Sequence, residues 1–204
     1  MYYKNISKYI YDCNSCPTRC DGKSKGLYLF EKDLDFSEYF EQKIVNHLNK
    51  KYNFFAQKTE DNSFPDIEVH KKGVADVWFY IEIKVQKRTF MLVEKILPQS
   101  NLKPSETVAL NLSDLLRYFS IHDKTKKPIF IFWGLLNRPC IVKKNEYLFF
   151  YQNINILKNI YQKYGDKRRF RRKSGKGDVV NGVHKGVTVN YHFSLNELKK
   201  FSFK

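Results

Sequence analysis

The chain has 204 residues, 42% of them hydrophobic and 16% aromatic, which excludes a disordered or low-complexity polymer and supplies apolar side chains for one substantial core. Its 37 Lys and Arg against 21 Asp and Glu leave a formal net charge of +16, more than folding requires, so a polyanionic partner is expected: nucleic acid or an anionic membrane surface. No apolar run approaches the length of a membrane span, and the opening MYYKNISKY lacks a signal peptide's apolar stretch, so a soluble, cytoplasmic protein is expected.

Residues 3–11 read as a short helix with Tyr3, Ile6, Ile10 and Tyr11 on one side. Cys13, Cys16 and Cys20 follow at C-x2-C-x3-C spacing, and the fourth cysteine, Cys140, lies far along the chain. In a reducing compartment, clustered thiols mark a metal more often than a disulfide. Four thiolates suit a zinc ion or an iron–sulfur cluster. The competing reading is that the cysteines hold no metal and that Cys140, in the run PCIV, is a small buried hydrophobe.

Leu27 to Phe30 reads as a strand or as the entry to a helix over Asp35 to Lys51. Asp35 and Glu38 fit a capping box, and Phe36, Phe40, Ile44, Val45 and Leu48 form an apolar stripe. Glu41 falls inside that stripe. A carboxylate facing a core needs a partner; the bland readings are a glutamate snorkelling at the stripe's edge or a salt bridge to a lysine. Asn53 to Lys58 then looks like the first core strand, and Glu60 to Ser63 a turn.

Phe64 to Gln86 reads as two strands and a turn. Asp66-Ile67-Glu68-Val69 alternates acid and apolar, His70 to Gly73 carries turn chemistry, and Val77 to Val85 is rich in β-branched and aromatic residues. Tyr80, Glu82, Lys84 and Gln86 point one way and Ile81, Ile83 and Val85 the other. A hairpin centred on residue 74 sets Asp66 opposite Glu82. Two facing carboxylates repel and are tolerated near an interior only with a cation between them. Mg2+ prefers hard oxygen ligands and works alongside phosphate, and Lys84 would share the same site. The bland alternative is an amphipathic strand whose polar face meets water.

Beyond Met91 to Leu97 and a loop over Pro98 to Ser105, Leu112 to Phe119 reads as a helix with Ser113 as N-cap. Pro128 to Trp133 is continuously apolar, as a buried central strand is, with Cys140 to Val142 as its expected neighbour. Ile154, Leu157, Ile160, Tyr161 and Tyr164 mark another amphipathic helix. Gly165 to Gly177 is the densest positive stretch: Lys167, Arg168, Arg169, Arg171, Arg172, Lys173 and Lys176 suit a nucleic-acid backbone, against the plain reading of a solvated charge run. Val179-Val180 and Val187 to Phe193 read as a terminal hairpin, and Ser194 with Glu197 as the capping box of a last short helix. The five histidines show no paired metal spacing, and no P-loop, G-x-S-x-G or dinucleotide fingerprint occurs.

Pro65-Asp66 followed by Glu82-Ile83-Lys84 resembles the signature of the PD-(D/E)xK nuclease superfamily. The resemblance implies a restriction-endonuclease-like α/β fold, a mixed β-sheet core flanked by helices, here with a C-terminal β-hairpin and short helix. It implies one nuclease domain over 1–204: a cysteine-containing N-terminal segment (1–30), a catalytic core (31–150) and a basic DNA-contacting part (151–204). It makes Asp66, Glu82 and the Ile83 carbonyl ligands of Mg2+, with Mn2+ able to substitute. It makes Lys84 the catalytic lysine, brings Glu41 to the metal directly or through water, and sets Gln86 against a phosphate or the attacking water. The implied activity is metal-dependent hydrolysis of double-stranded DNA by a homodimer of type II restriction kind. The alternatives are a structure-selective repair nuclease or Holliday-junction resolvase, and a catalytically inactive DNA-binding protein with a nuclease fold.

Overall fold

The apolar pattern of a few strands sets the architecture seen in a computed structural model, which describes residues 9–10, 30–86, 89–136, 138, 140–142, 146–171, 179–180, 183–184 and 189–203. Helix α1 (Phe30–Lys51) leads into strands β1 (Phe54–Lys58), β2 (Ile67–Lys71) and β3 (Val77–Gln86). A one-turn helix α2 (Val93–Ile96) precedes β4 (Thr107–Asn111), helix α3 (Leu112–Thr125), β5 (Ile129–Leu135), β6 (Leu148–Asn153) and helix α4 (Ile154–Tyr164). The chain ends with β7 (Arg169–Arg171), β8 (Val179–Val180), β9 (Val183–His184), β10 (Val189–Ser194) and β11 (Lys199–Phe201).

Six strands form one mixed sheet in the order β1-β2-β3-β5-β6-β11, and three more form a second sheet, β4-β10-β7. Only β3 and β5 run parallel; the other neighbours in both sheets are antiparallel. A parallel pair needs a crossover, and α2, β4 and α3 lie within it. The expected mixed sheet with helices on both sides is therefore what the chain forms. Among the described residues no helix is long and apolar enough to cross a membrane.

One face of the large sheet is covered by α1, whose Phe40, Ile44 and Leu48 pack on Ile67, Val69, Ile81 and Ile83. The other is covered by α3, α4 and the small sheet, where Trp133 and Phe150 meet Leu115, Tyr118, Tyr191 and Phe193. β5 is apolar on both sides because it is sandwiched: Phe132 faces α1, and Ile131 and Trp133 face the second layer. The Tyr80–Glu82–Lys84–Gln86 side of β3 thus looks into protein, and Glu82 is 2% exposed.

Several local expectations need correcting. α1 begins at Phe30, so Asp35 lies within the helix rather than capping it; Glu31, Lys32 and Leu34 are good helix formers and carry the helix past that signal. α3 is capped at Asn111, not Ser113, and runs to Thr125, because β4 feeds straight into it. Cys140 to Val142 is a turn, not a strand: the amides of Ile141 and Val142 both donate to the Arg138 carbonyl, at 2.8 and 2.7 Å, and Cys140 is half-buried. β6 takes the place beside β5. The terminal hairpin is the small pair β8–β9, whereas β10 lies between β4 and β7, where Tyr191 and Phe193 are fully buried. The capping box does form, with the Ser194 side chain accepting from the Asn196 amide and Glu197 reaching back to the Ser194 amide. It closes one 3-10 turn before β11, a strand the sequence pattern did not reveal.

The basic stretch divides. Gly165–Arg168 is a 3-10 turn and Arg169–Arg171 is β7, paired with β10, so this half is not a loop. Arg168 is corrected from nucleic-acid contact to structural residue. It is buried, its Nη1 donates to both Glu197 oxygens at 2.9 and 2.6 Å, and its guanidinium lies 3.7 Å from the centre of the Tyr164 ring. Lys167, Arg169 and Arg171 are exposed. Arg172, Lys173, Lys176, Cys13, Cys16 and Cys20 lie outside the described residues.

Arg168→Ala strands the Glu197 carboxylate, and such one-sided removal of a buried partner costs about 3–5 kcal/mol. Urea unfolding is expected to register that loss, while nucleic-acid affinity of the folded variant, measured at fixed salt, stays at the wild-type value.

Candidate active site

β2 and β3 pair with Ile67 opposite Ile81 and Glu68 opposite Tyr80. Ile67 and Val69 must face α1 to be buried, and side chains alternate along a strand, so Asp66 is sent to the opposite face beside Glu82. The bulge between Val69 and His70 lies nearer the turn and leaves this end in register. Gly73, at φ +77°, takes the left-handed position that the turn requires.

Two backbone amides secure the carboxylates. The Ile83 amide donates to Asp66 Oδ2 at 2.7 Å, and the Asp66 amide donates to Glu82 Oε2 at 3.3 Å. Lys84 Nζ lies 2.5 Å from Glu82 Oε1 and 3.4 Å from Asp114 Oδ2 on α3. Arg117 Nη2 sits 3.1 Å from Asp114 Oδ1. Tyr118, from the same helix, lies close enough to feel the Glu82 charge.

Burial, and then the neighbouring Glu82 charge, push the Asp66 carboxyl up to about 7, against the pull of Lys84 and the Ile83 amide. Burial works against the Lys84 ammonium, yet Glu82, Asp114 and Asp66 outweigh it and raise its pKa. Burial, and then the Glu82 charge, raise the Tyr118 pKa, so its hydroxyl keeps its proton.

The structure brings Asp66, Glu82 and Lys84 together and leaves other candidates at the margin. Glu41 is buried on α1, and its charge reaches Asp66. It pairs with Lys58 Nζ at 3.3 Å and accepts from the Ser37 hydroxyl at 3.2 Å, so the plainer sequence expectation, a salt bridge to a lysine, describes its contacts. Lys58 also feels the Asp66 charge, which links Glu41 to the centre electrostatically. Gln86 lies on the expected face with its amide engaged at both ends: Nε2 donates to the Ala109 carbonyl at 2.8 Å, and Oε1 accepts from Arg138 at 3.4 Å. Sequence reasoning missed Lys58, Asp114, Arg117, Tyr118 and the fully buried Arg138. The one signal was the spacing of Asp114, Arg117 and Tyr118, which places all three on one helix face.

Among the described residues no three His, Cys, Asp or Glu side chains converge on a point that would hold a metal ion. Mg2+ does not need three: one or two carboxylates with waters suffice. A pair of abutting carboxylates, one held protonated up to about neutral pH by burial and by its neighbour, is a donor set that a divalent cation would relieve.

No family model matches the chain, and no curated protein does. Among the solved structures similar to it are two nucleases. One is Archaeoglobus fulgidus Hjc, a Holliday junction resolvase from an archaeal hyperthermophile, with a TM-score of 0.40, 12% identity, and 78% of this chain and 84% of that chain covered. The other is D212, a nuclease from a fusselovirus, with a TM-score of 0.44, 10% identity, and coverage of 87% and 90%.

The raised Asp66 pKa carries a stability consequence of definite sign. An unfolded aspartate ionises near pH 4, so between about pH 4 and 7 the folded protein holds a proton that the unfolded chain has released. The stabilisation is complete below the unfolded value and is lost as pH rises through 7. Metal-free protein is therefore expected to unfold at lower urea at pH 8 than at pH 5, and Asp66→Asn to remove that part of the decline. An unchanged pH slope in Asp66→Asn would mean that Asp66 is not the titrating group.

Proposed function

We propose that the protein is a Mg2+-dependent endonuclease that hydrolyses DNA phosphodiester bonds, of the PD-(D/E)xK kind that its sequence resembles. The observation that carries the reading is the meeting of half-buried Asp66 and Lys84 with buried Glu82 on paired strands. Asp66, Glu82 and the Ile83 carbonyl would hold the metal, with Glu41 entering through water. Bound there, Mg2+ supplies charge to polarise the scissile phosphate and lowers the pKa of the attacking water. Asp66 is kept in place by the Ile83 amide, so one of its oxygens has a fixed direction. Lys84, paired with Glu82 and Asp114 in the protein alone, would orient the water and offset charge developing on the phosphoryl oxygens.

The net charge of +16 supports a polyanionic substrate, and the exposed Lys167, Arg169 and Arg171 offer phosphate contacts beside the Arg172, Lys173 and Lys176 segment. Cleavage of plain duplex at a fixed sequence by a homodimer, as type II restriction enzymes do, and structure-selective cleavage of a branch would share this centre. They differ in which DNA the rest of the surface holds.

The deciding experiment incubates purified protein and Mg2+ with unmethylated phage or plasmid DNA and, in parallel, with a synthetic four-way junction. Discrete bands from the duplex establish the restriction reading, cleavage of the junction alone establishes the resolvase reading, and intact DNA in both removes the nuclease assignment. Asp66→Ala and Lys84→Ala are expected to lower the cleavage rate by about a hundredfold or more while DNA binding in Ca2+ persists. Near-wild-type cleavage by either folded variant would move the active site elsewhere. Alanine at Lys167, Arg169 and Arg171 together is expected to flatten the salt dependence of binding by about 0.9 log unit for each DNA phosphate that the variant no longer neutralises.

A further inference from the structure

Asp114, Arg117 and Tyr118 occupy positions i, i+3 and i+4 of α3 and present one helix face to the polar side of β3. Their contacts interlock. Asp114 Oδ2 lies 3.4 Å from Lys84 Nζ, and its other oxygen lies 3.1 Å from Arg117 Nη2. Arg117 Nη2 also donates to the Tyr118 oxygen at 3.1 Å, and Tyr118 feels the Glu82 charge. Asp114 is 14% exposed at its side chain, so it faces the cluster rather than solvent.

Lys84 therefore has two carboxylate partners, Glu82 at 2.5 Å and Asp114 at 3.4 Å. The two are not equivalent. Glu82 is assigned to the metal in the reading above, and a carboxylate drawn to a divalent cation is a weaker partner for an ammonium. Lysine is a flexible four-carbon stem, and the Lys84 side chain is 31% exposed, so with Glu82 diverted it has room to swing outward. Asp114 is fixed to a helix and held on its far side by Arg117, so it keeps its direction.

We propose that Asp114 is a positioning residue: it anchors the Lys84 ammonium when Glu82 is engaged by the cation, and Arg117 fixes Asp114 for that task. The inference rests on the nuclease reading for its consequence in catalysis, but the anchoring itself is a property of this chain that can be read without turnover.

The test compares wild type with the near-isosteric Asp114→Asn and the charge-conserving Asp114→Glu. The first readout is the rate at which an amine-acylating reagent labels Lys84, followed by peptide mass spectrometry, with and without Ca2+. The second is cleavage under Mg2+, with kcat and KM separated, alongside DNA affinity in Ca2+. In Asp114→Asn, Lys84 is expected to label several-fold faster, most of all with Ca2+ present. Its kcat is expected to fall about ten- to a hundredfold, the scale of a misplaced catalytic group, while KM and DNA affinity hold and Asp114→Glu recovers part of the loss. Wild-type labelling of Lys84 in folded Asp114→Asn overturns the anchor, as does a loss that appears in KM alone. If Asp114→Asn does not fold, the same labelling comparison is made on Asp114→Glu, where protection of Lys84 supports the anchor and full exposure overturns it. Wild-type protein that cuts no DNA defeats the nuclease reading, and the labelling then still decides whether Asp114 holds Lys84.

Discussion

Asp66 and Glu82 are two carboxylates set side by side within a protein layer, and bringing such groups out of water is costly unless each lone pair is answered. Backbone supplies much of the answer: the Ile83 amide holds Asp66, and the Asp66 amide holds Glu82. Those bonds exist only in one register of β2 against β3. The register is fixed on the other side of the sheet, where Ile67, Val69, Ile81 and Ile83 are buried against α1. A slip of β2 by one residue would turn Ile67 and Val69 toward the polar layer and separate the two acids. The apolar packing under α1 thus holds together, through the backbone, a pair of groups that would otherwise move apart.

What closes over that pair is the crossover. Because β3 and β5 are parallel, the chain between them must leave the sheet and return, and in doing so it lays β4 and α3 over the polar side of β3. The Ala109 carbonyl on β4 receives both the Gln86 amide and the Trp133 indole, at 2.8 and 3.0 Å, which ties the small sheet to the large one beside the charged cluster. α3 starts without a break after β4, so its first turn is fixed in height over Lys84, and Asp114 falls within reach. The same connection that completes the fold therefore supplies the second carboxylate.

This separates what was legible in the sequence from what was not. The meeting of Asp66 with Glu82 could be read because strand alternation and antiparallel symmetry about residue 74 are local arithmetic, and the bulge at Val69/His70 sits on the turn side where it does not disturb it. The buried central strand β5 was legible from its unbroken apolar run. Asp114 was not: its spacing with Arg117 and Tyr118 shows a shared helix face, but its role depends on where a crossover lands. Arg168 was misread because its neighbours are basic. In a run of positive residues the one that pairs with Glu197, 29 positions away, looks like the rest. β4 is buried along nearly its whole length and so shows no alternation, and β11, three residues long, is too short for a period to declare itself. The capping box at Ser194 succeeded where the one at Asp35 failed: the first is followed by a turn that must stop for β11, and the second sits inside residues that favour helix anyway.

The charge of the whole chain and the charge of the cluster have opposite signs, and the two act over different distances. The excess of 37 basic over 21 acidic residues is a long-range field that draws a polyanion toward the protein from about a Debye length away, roughly 10 Å in 0.1 M salt. The cluster has three carboxylates, Asp66, Glu82 and Asp114, against two cations, Lys84 and Arg117, so at close range it repels a phosphate. A phosphate brought in by the first effect can settle only if the second is neutralised where it lies. Protonation of Asp66 does this in part below about pH 7, but it leaves a neutral acid that binds nothing by charge. A divalent cation does it completely and adds attraction for the phosphate itself. Lys84 cannot substitute for that cation, because its ammonium is already committed to Glu82 and Asp114. On the proposed nuclease reading, an acidic, amide-braced cluster in a chain of net charge +16 would take a phosphate only with a cation beside it, whereas attraction of a polyanion to the chain as a whole would not need one.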